Sequence, residues 1–106
     1  MDYAQKLAQT LALYRLAAAQ GLDEAQHWLG LMYFHGNEVA RDYAEALRWF
    51  HLAAAQGYPS AFFLIAQFHE KSRGVAADVA EAIRWYRRAQ AAGNPSAARA
   101  LERLGA

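Results

Sequence analysis

Cysteine is absent from the 106 residues. That excludes a disulfide framework, a thiolate metal site and a cysteine nucleophile, and it carries no information about compartment, because a helical protein needs none in either redox environment. Neither sign of charge dominates. Eleven Lys and Arg against ten Asp and Glu leave a net charge of +1, which does not mark a nucleic-acid or membrane protein. No apolar run approaches the roughly 18 uninterrupted residues that a membrane span requires. The opening residues Met1-Asp2-Tyr3-Ala4-Gln5-Lys6 lack the basic and apolar regions of a secretion signal, so the expected location is cytoplasmic. A glycine-rich phosphate loop is missing as well. Proline occurs twice and glycine seven times. What fills the chain instead is alanine, 26 residues of it, within a 56% hydrophobic composition. Such a chain can bury a core for one domain, and its alanines predict helices lying close together.

The chain repeats itself. Ala17-Ala18-Ala19-Gln20-Gly21 returns as Ala53-Ala54-Ala55-Gln56-Gly57 and, more loosely, as Ala89-Gln90-Ala91-Ala92-Gly93. The spacing between these glycines is 36 residues both times. Aligning 22–57 with 58–93 without a gap gives 12 identities, among them Asp42/Asp78, Glu45/Glu81, Arg48/Arg84 and Trp49/Trp85. Chance would supply about three at this alanine content, so the period is real and points to a repeat architecture.

Each unit reads as two helices. Asp42 and Asp78 stand three residues before Glu45 and Glu81, the spacing of a capping box. Ala46, Trp49, Phe50, Ala53 and Ala82, Trp85, Tyr86, Ala89 then recur at helical spacing, a stripe predicted to be core, both tryptophans included. Gly57 and Gly93 fit the left-handed position after a helix. Pro59 and Pro95 follow where the first turn of the next helix accepts proline. The first helices carry Ala25, Leu29, Tyr33 and Ala61, Ile65, Phe68 as packing stripes, with Asp23 as the expected start of the first of them. Gly30 and Ala66 inside these helices predict a close neighbour. Residues 3–20 match a second helix and 95–104 a first helix. The expected organisation is a single repeat domain over 1–106: a half unit (1–21), full repeats (22–57 and 58–93) and a half unit (94–106), six helices in all.

The pattern Ala25-xxx-Leu29-Gly30-xx-Tyr33-xx-Gly36-xx-Val39-xx-Asp42-xx-Glu45-Ala46-xx-Trp49-Phe50-xx-Ala53-Ala54-xx-Gly57 resembles the Sel-one-like repeat (SLR), a relative of the tetratricopeptide repeats. The resemblance spans nearly the whole chain. It implies an all-α superhelical solenoid of antiparallel helix pairs, non-enzymatic and without cofactors, that scaffolds protein complexes. Members act in signalling, in protein quality control and in bacterial host interaction or competition, and the compact alanine-rich form fits a bacterial source. Two departures stand out. The family has two glycines in the loop between its helices, whereas here Gly36 is followed by Glu38 and Ser72 precedes Gly74; the turn geometry is therefore expected to differ between units. The family tyrosine is Tyr33 in one unit and His69 in the other.

In that architecture the first helices line the concave side. The stripe opposite their packing face gives the candidate partner-binding residues Glu24, His27, Leu31, Phe34, His35, Phe63, Gln67, Glu70, Lys71, Arg99 and Arg103. Leu31, Phe34 and Phe63 are apolar groups framed by charge, either an interaction surface or packing against the next helix. Four histidines invite a metal, but His27 and His35 lie roughly 12 Å apart along a helix and cannot share one ion. His69-Glu70 lacks the second histidine of a zinc-protease motif. Asp42/Glu45 and Asp78/Glu81 are explained by capping rather than acid–base chemistry. The second half of the chain is the more basic, through Arg84, Arg87, Arg88, Arg99 and Arg103; a solvated surface accounts for the first three.

The expected function is a protein- or peptide-binding scaffold or adaptor. The alternative is an inhibitor or immunity-type protein that occludes an enzyme, and a nucleic-acid binder using the arginine-rich half comes third. The helix at the N-terminal end carries Leu7, Leu11, Leu13, Tyr14 and Leu16 with no upstream partner. Either the chain is cut from a longer array or its uncapped ends pair with another copy.

Overall fold

The computed structural model describes residues 2–106; Met1, which opens the expected first half unit, lies outside them. Six helices follow in order: α1 (Tyr3–Ala19), α2 (Asp23–His35), α3 (Tyr43–Ala55), α4 (Pro59–Glu70), α5 (Val79–Ala91) and α6 (Pro95–Arg103). No strand occurs among the described residues. Each helix packs on its neighbours in sequence, and the result is an elongated array of 51 × 23 × 19 Å. This is the all-α solenoid that the repeat predicts.

Local chemistry sets the helix ends. Asp42 and Asp78 cap α3 and α5, accepting from the Glu45 and Glu81 amides at 3.1 and 3.0 Å. Only half of the expected capping box forms there. The Glu45 and Glu81 side chains turn forward to Arg48 and Arg84 and to the indole N–H of Trp49 and Trp85. The complete box is at α1, between Asp2 and Gln5. Asp23 is the first residue of α2 and not its cap; that place belongs to Leu22. Pro59 and Pro95 open α4 and α6.

The loops between first and second helices correct one expectation. Gly36 and Glu38 have φ of 76° and 63°, and Ser72 and Gly74 have 56° and 71°. Both turns have the same left-handed pattern, although glycine fills a different place in each. The shared backbone bonds from Asp42 N to the Tyr33 carbonyl and from Asp78 N to the His69 carbonyl, 2.9 Å each, impose one path on two sequences.

The core is continuous from α3 to α6, built on Phe50, Ile65, Phe68, Tyr86 and Leu101 with alanines between them. A smaller cluster of Leu11, Ala18, Ala25 and Leu29 joins α1 to α2. Trp49 and Trp85 are half-buried, not core. Their indoles lie at the rim under Arg48 and Arg88, each 4.7 Å from the ring centroid. Phe50 and Tyr86, one residue further on, occupy the interior at 0% and 1% exposure.

Candidate partner-binding face

The first helices α2, α4 and α6 stand side by side through bridging side chains. Phe34 of α2 meets Phe68 of α4 at 5.6 Å between ring centroids. Arg103 of α6 forks onto Glu70 of α4, at 2.7 and 3.0 Å. The helices hold their positions because one side of each is apolar and buried: Ala25 and Leu29, then Ala61, Ile65 and Phe68, then Ala97 and Leu101.

The candidate residues fall into three groups. Glu24, His35, Lys71, Arg99 and Arg103 are exposed, while Leu31, Phe34, Phe63, Gln67 and Glu70 are half-buried. His27 is a correction: it is 7% exposed and belongs to the core. Its ring lies 4.8 Å from Tyr58 and 5.7 Å from Phe50. The reason is the breadth of the buried arc of α2. That helix packs on both α1 and α3, so Ala25, Gln26, His27, Leu29 and Gly30 are all buried and a single stripe does not describe it. The His27 Nδ1 has no hydrogen-bond partner. Burial lowers the pKa of the imidazole, against a smaller opposing pull from Glu24.

The apolar trio is anchored on one side. Phe34 packs against Tyr43 and Phe68 and carries the Arg73 guanidinium 5.2 Å above its ring. Phe63 packs on Tyr86. Glu70 and Arg103 are less available than the expected stripe implies, because they hold each other. The Tyr86 hydroxyl donates to the same Glu70 carboxylate at 2.6 Å. The Arg103 bonds hold that carboxyl below the usual range. Burial, then the Glu70 bond, pushes the Tyr86 phenol up. This brace ties α4, α5 and α6 together.

Trp28 lies outside the candidate stripe. It is 45% exposed on α2, beside the exposed Leu22. Its repeat equivalents are Leu64 and Ala100, so it lies outside the identities that mark the core, and that mismatch was the available signal. On the outer side, Arg84 pairs with Glu81 and Arg88 lies 4.3 Å from the Phe62 centroid, which leaves Arg87 as the exposed arginine without such a contact. Among the described residues no group of three or more acidic or histidine side chains could hold a metal ion. No described helix is long and apolar enough to cross a membrane.

The profile of the Sel1 repeat matches residues 4–22, 23–58 and 59–94. The chain belongs to the Sel1 repeat family. No curated protein matches it significantly. Among solved structures, a Sel1 repeat protein from Oxalobacter formigenes is 39% identical, with a TM-score of 0.81 over 84% of this chain and 67% of that one. A protective antigen present in uropathogenic Escherichia coli strains, displaying an SLR fold, is 40% identical with a TM-score of 0.83; the match covers 91% of this chain and 20% of the antigen. The cysteine rich protein B of Helicobacter pylori shares the fold at 21% identity, with a TM-score of 0.76 over 89% of this chain and 68% of that one. Sel1 repeat proteins are in general non-enzymatic scaffolds that mediate protein–protein interaction.

Proposed function

We propose that this Sel1 repeat chain is a non-enzymatic adaptor that holds a partner protein or peptide against the face made by α2, α4 and α6. One observation carries the reading. Leu31, Phe34 and Phe63 are half-buried and pack against the core, and the charges Glu24, Lys71 and Arg99, on or just after the same three helices, are exposed. Apolar groups already held in place by the core lose little freedom on binding, and a charged rim sets partner choice. The exposed charges pass from Glu24 on α2 to Lys71 just after α4 and Arg99 on α6, which suits an extended segment with the opposite order of charge.

The test replaces exposed rim residues, because truncating the anchored trio would also loosen the core. Wild type, a Lys71→Glu/Arg99→Glu variant and an Arg87→Glu control are used to capture proteins from host lysate. The expected result is a partner retained by wild type and by the control and lost by the double variant. Equal capture by all three would move the site off this face.

A further inference from the structure

The loops after α2 and α4, residues 36–42 and 71–78, meet at one edge of the array. A Cβ added to Gly74 would lie 3.0 Å from Tyr43 and from the Ala44 amide nitrogen, so the second loop rests on the start of α3. Three rings cluster at this edge. Phe34 is 5.6 Å from Tyr43 and 5.6 Å from Phe68, and Tyr43 is 5.9 Å from Phe68, measured between centroids.

Each loop sets an arginine on that cluster. The Arg41 guanidinium lies 5.1 Å above the Tyr43 ring, and the Arg73 guanidinium 5.2 Å above the Phe34 ring. The negative face of a ring attracts a guanidinium and steadies its plane, and the N–H edge stays free for an acceptor. Arg48 is stacked in the same way on Trp49, but its N–H groups are taken by Glu45. Arg84 and Arg103 also have carboxylates of their own. Among the described residues, Arg41, Lys71 and Arg73 form no ion pair. Arg41 and Lys71 are exposed and Arg73 is half-buried.

The acids of these loops are Glu38, Asp42 and Asp78. The two aspartates accept from the Glu45 and Glu81 amides at 3.1 and 3.0 Å, each against the positive end of its own helix. Glu38 alone is left uncommitted. The same acids break up the edge for a nucleic-acid backbone, which needs a continuous basic stripe. Separate carboxylates on a protein chain can reach each guanidinium in turn, and the planar fork matches a carboxylate with two parallel bonds.

We propose that Arg41 and Arg73 are specificity-determining residues at the edge of the partner face, and that the segment held there carries Asp or Glu side chains which they grip, with Lys71 beside them. This inference rests on the reading of α2, α4 and α6 as that face. It adds the two loops to it and gives the partner its chemistry: an acidic stretch next to the apolar residues that cover Phe34.

The test selects a phage library of short random peptides on the full chain. Wild type, Arg41→Gln/Arg73→Gln, Arg41→Lys/Arg73→Lys and an Arg87→Gln control are used, and the selected peptides are synthesised and titrated by calorimetry. Wild type and control are expected to enrich Asp and Glu beside apolar residues. The Gln variant should bind those peptides about tenfold more weakly or worse. The Lys variant, which keeps the charge and drops the stacked fork, should fall between the two. Circular dichroism checks that each variant keeps its helices. Selected peptides without acidic enrichment, or equal binding by the Gln variant, overturn this inference and leave the adaptor reading standing. Wild-type affinity in the Lys variant overturns it as well, because charge alone would then suffice. So does displacement of the peptides by an equal concentration of a single-stranded oligonucleotide, because a nucleic-acid backbone would then hold the edge. A library that yields no peptide overturns the reading of a held segment itself.

Discussion

The ring of Phe50 lies directly on the bare backbone of Gly30. A Cβ at residue 30 would approach Phe50 Cε1 to 2.6 Å and Cδ1 to 2.8 Å. The glycine weakens α2 as a helix, and the buried ring takes the space it leaves. Gly30→Ala would gain up to about 1 kcal/mol of helix propensity and lose about 1–3 kcal/mol to overpacking. The expected outcome is a lower urea midpoint, with part of the loss recovered when Phe50→Leu is added.

Glu38 at φ 63° is the opposite case, a residue where glycine belongs. The left-handed conformation costs a side-chain-bearing residue about 1–2 kcal/mol, and glycine returns up to about 1 kcal/mol of that as unfolded-state entropy. Glu38→Gly is expected to raise the urea midpoint, by about 0.5–1 kcal/mol of stability. Ser72→Gly should gain less, because it removes the 3.1 Å bond from Ser72 Oγ to the Val75 carbonyl.

His27 makes stability depend on pH. Burial lowers its pKa below the ordinary 6.5, so on acidification the unfolded chain takes up the proton first. The contribution is fully present above pH 6.5 and is lost as pH falls from there through the folded value. His27→Phe places the residue found one repeat later, Phe63, at this site. It should flatten unfolding free energy against pH below neutrality. A residual slope from His51 remains, since desolvation lowers its pKa too, aided by His69.

Glu70 acts lower on the scale. Its pKa is held below 4.5 by the Arg103 bonds first and, after a smaller opposing effect of burial, by the Tyr86 bond. Its contribution is therefore present above pH 4.5 and lost below it. Glu70→Gln should reduce the acid sensitivity of unfolding in that range. Tyr86→Phe, which removes the 2.6 Å bond, should cost about 1 kcal/mol at neutral pH.

Much of this protein was legible from residue order. The period, the six helices, the caps at Asp42 and Asp78, the prolines opening α4 and α6, and the close approach at Gly30 follow from interactions within a few residues or from the repeat. The faces were less legible. The helical stripe puts His27 on the open side, where the structure buries it; it puts Glu70 and Arg103 there too, and they hold each other; exposed Trp28 lies outside that stripe. The two inter-helix turns, which differ in glycine placement, share one backbone path because the Tyr33–Asp42 and His69–Asp78 bonds recur.

The sequence by itself determined where each helix begins and ends and that the helices stack, since caps, breakers and periodic apolar residues act locally and the repeat carries them along the chain. Only the tertiary structure decided which side chains meet solvent. An inner helix of the array is covered by the helix before it and the helix after it, so its buried arc exceeds one stripe, and the width of that arc depends on neighbours far away in sequence.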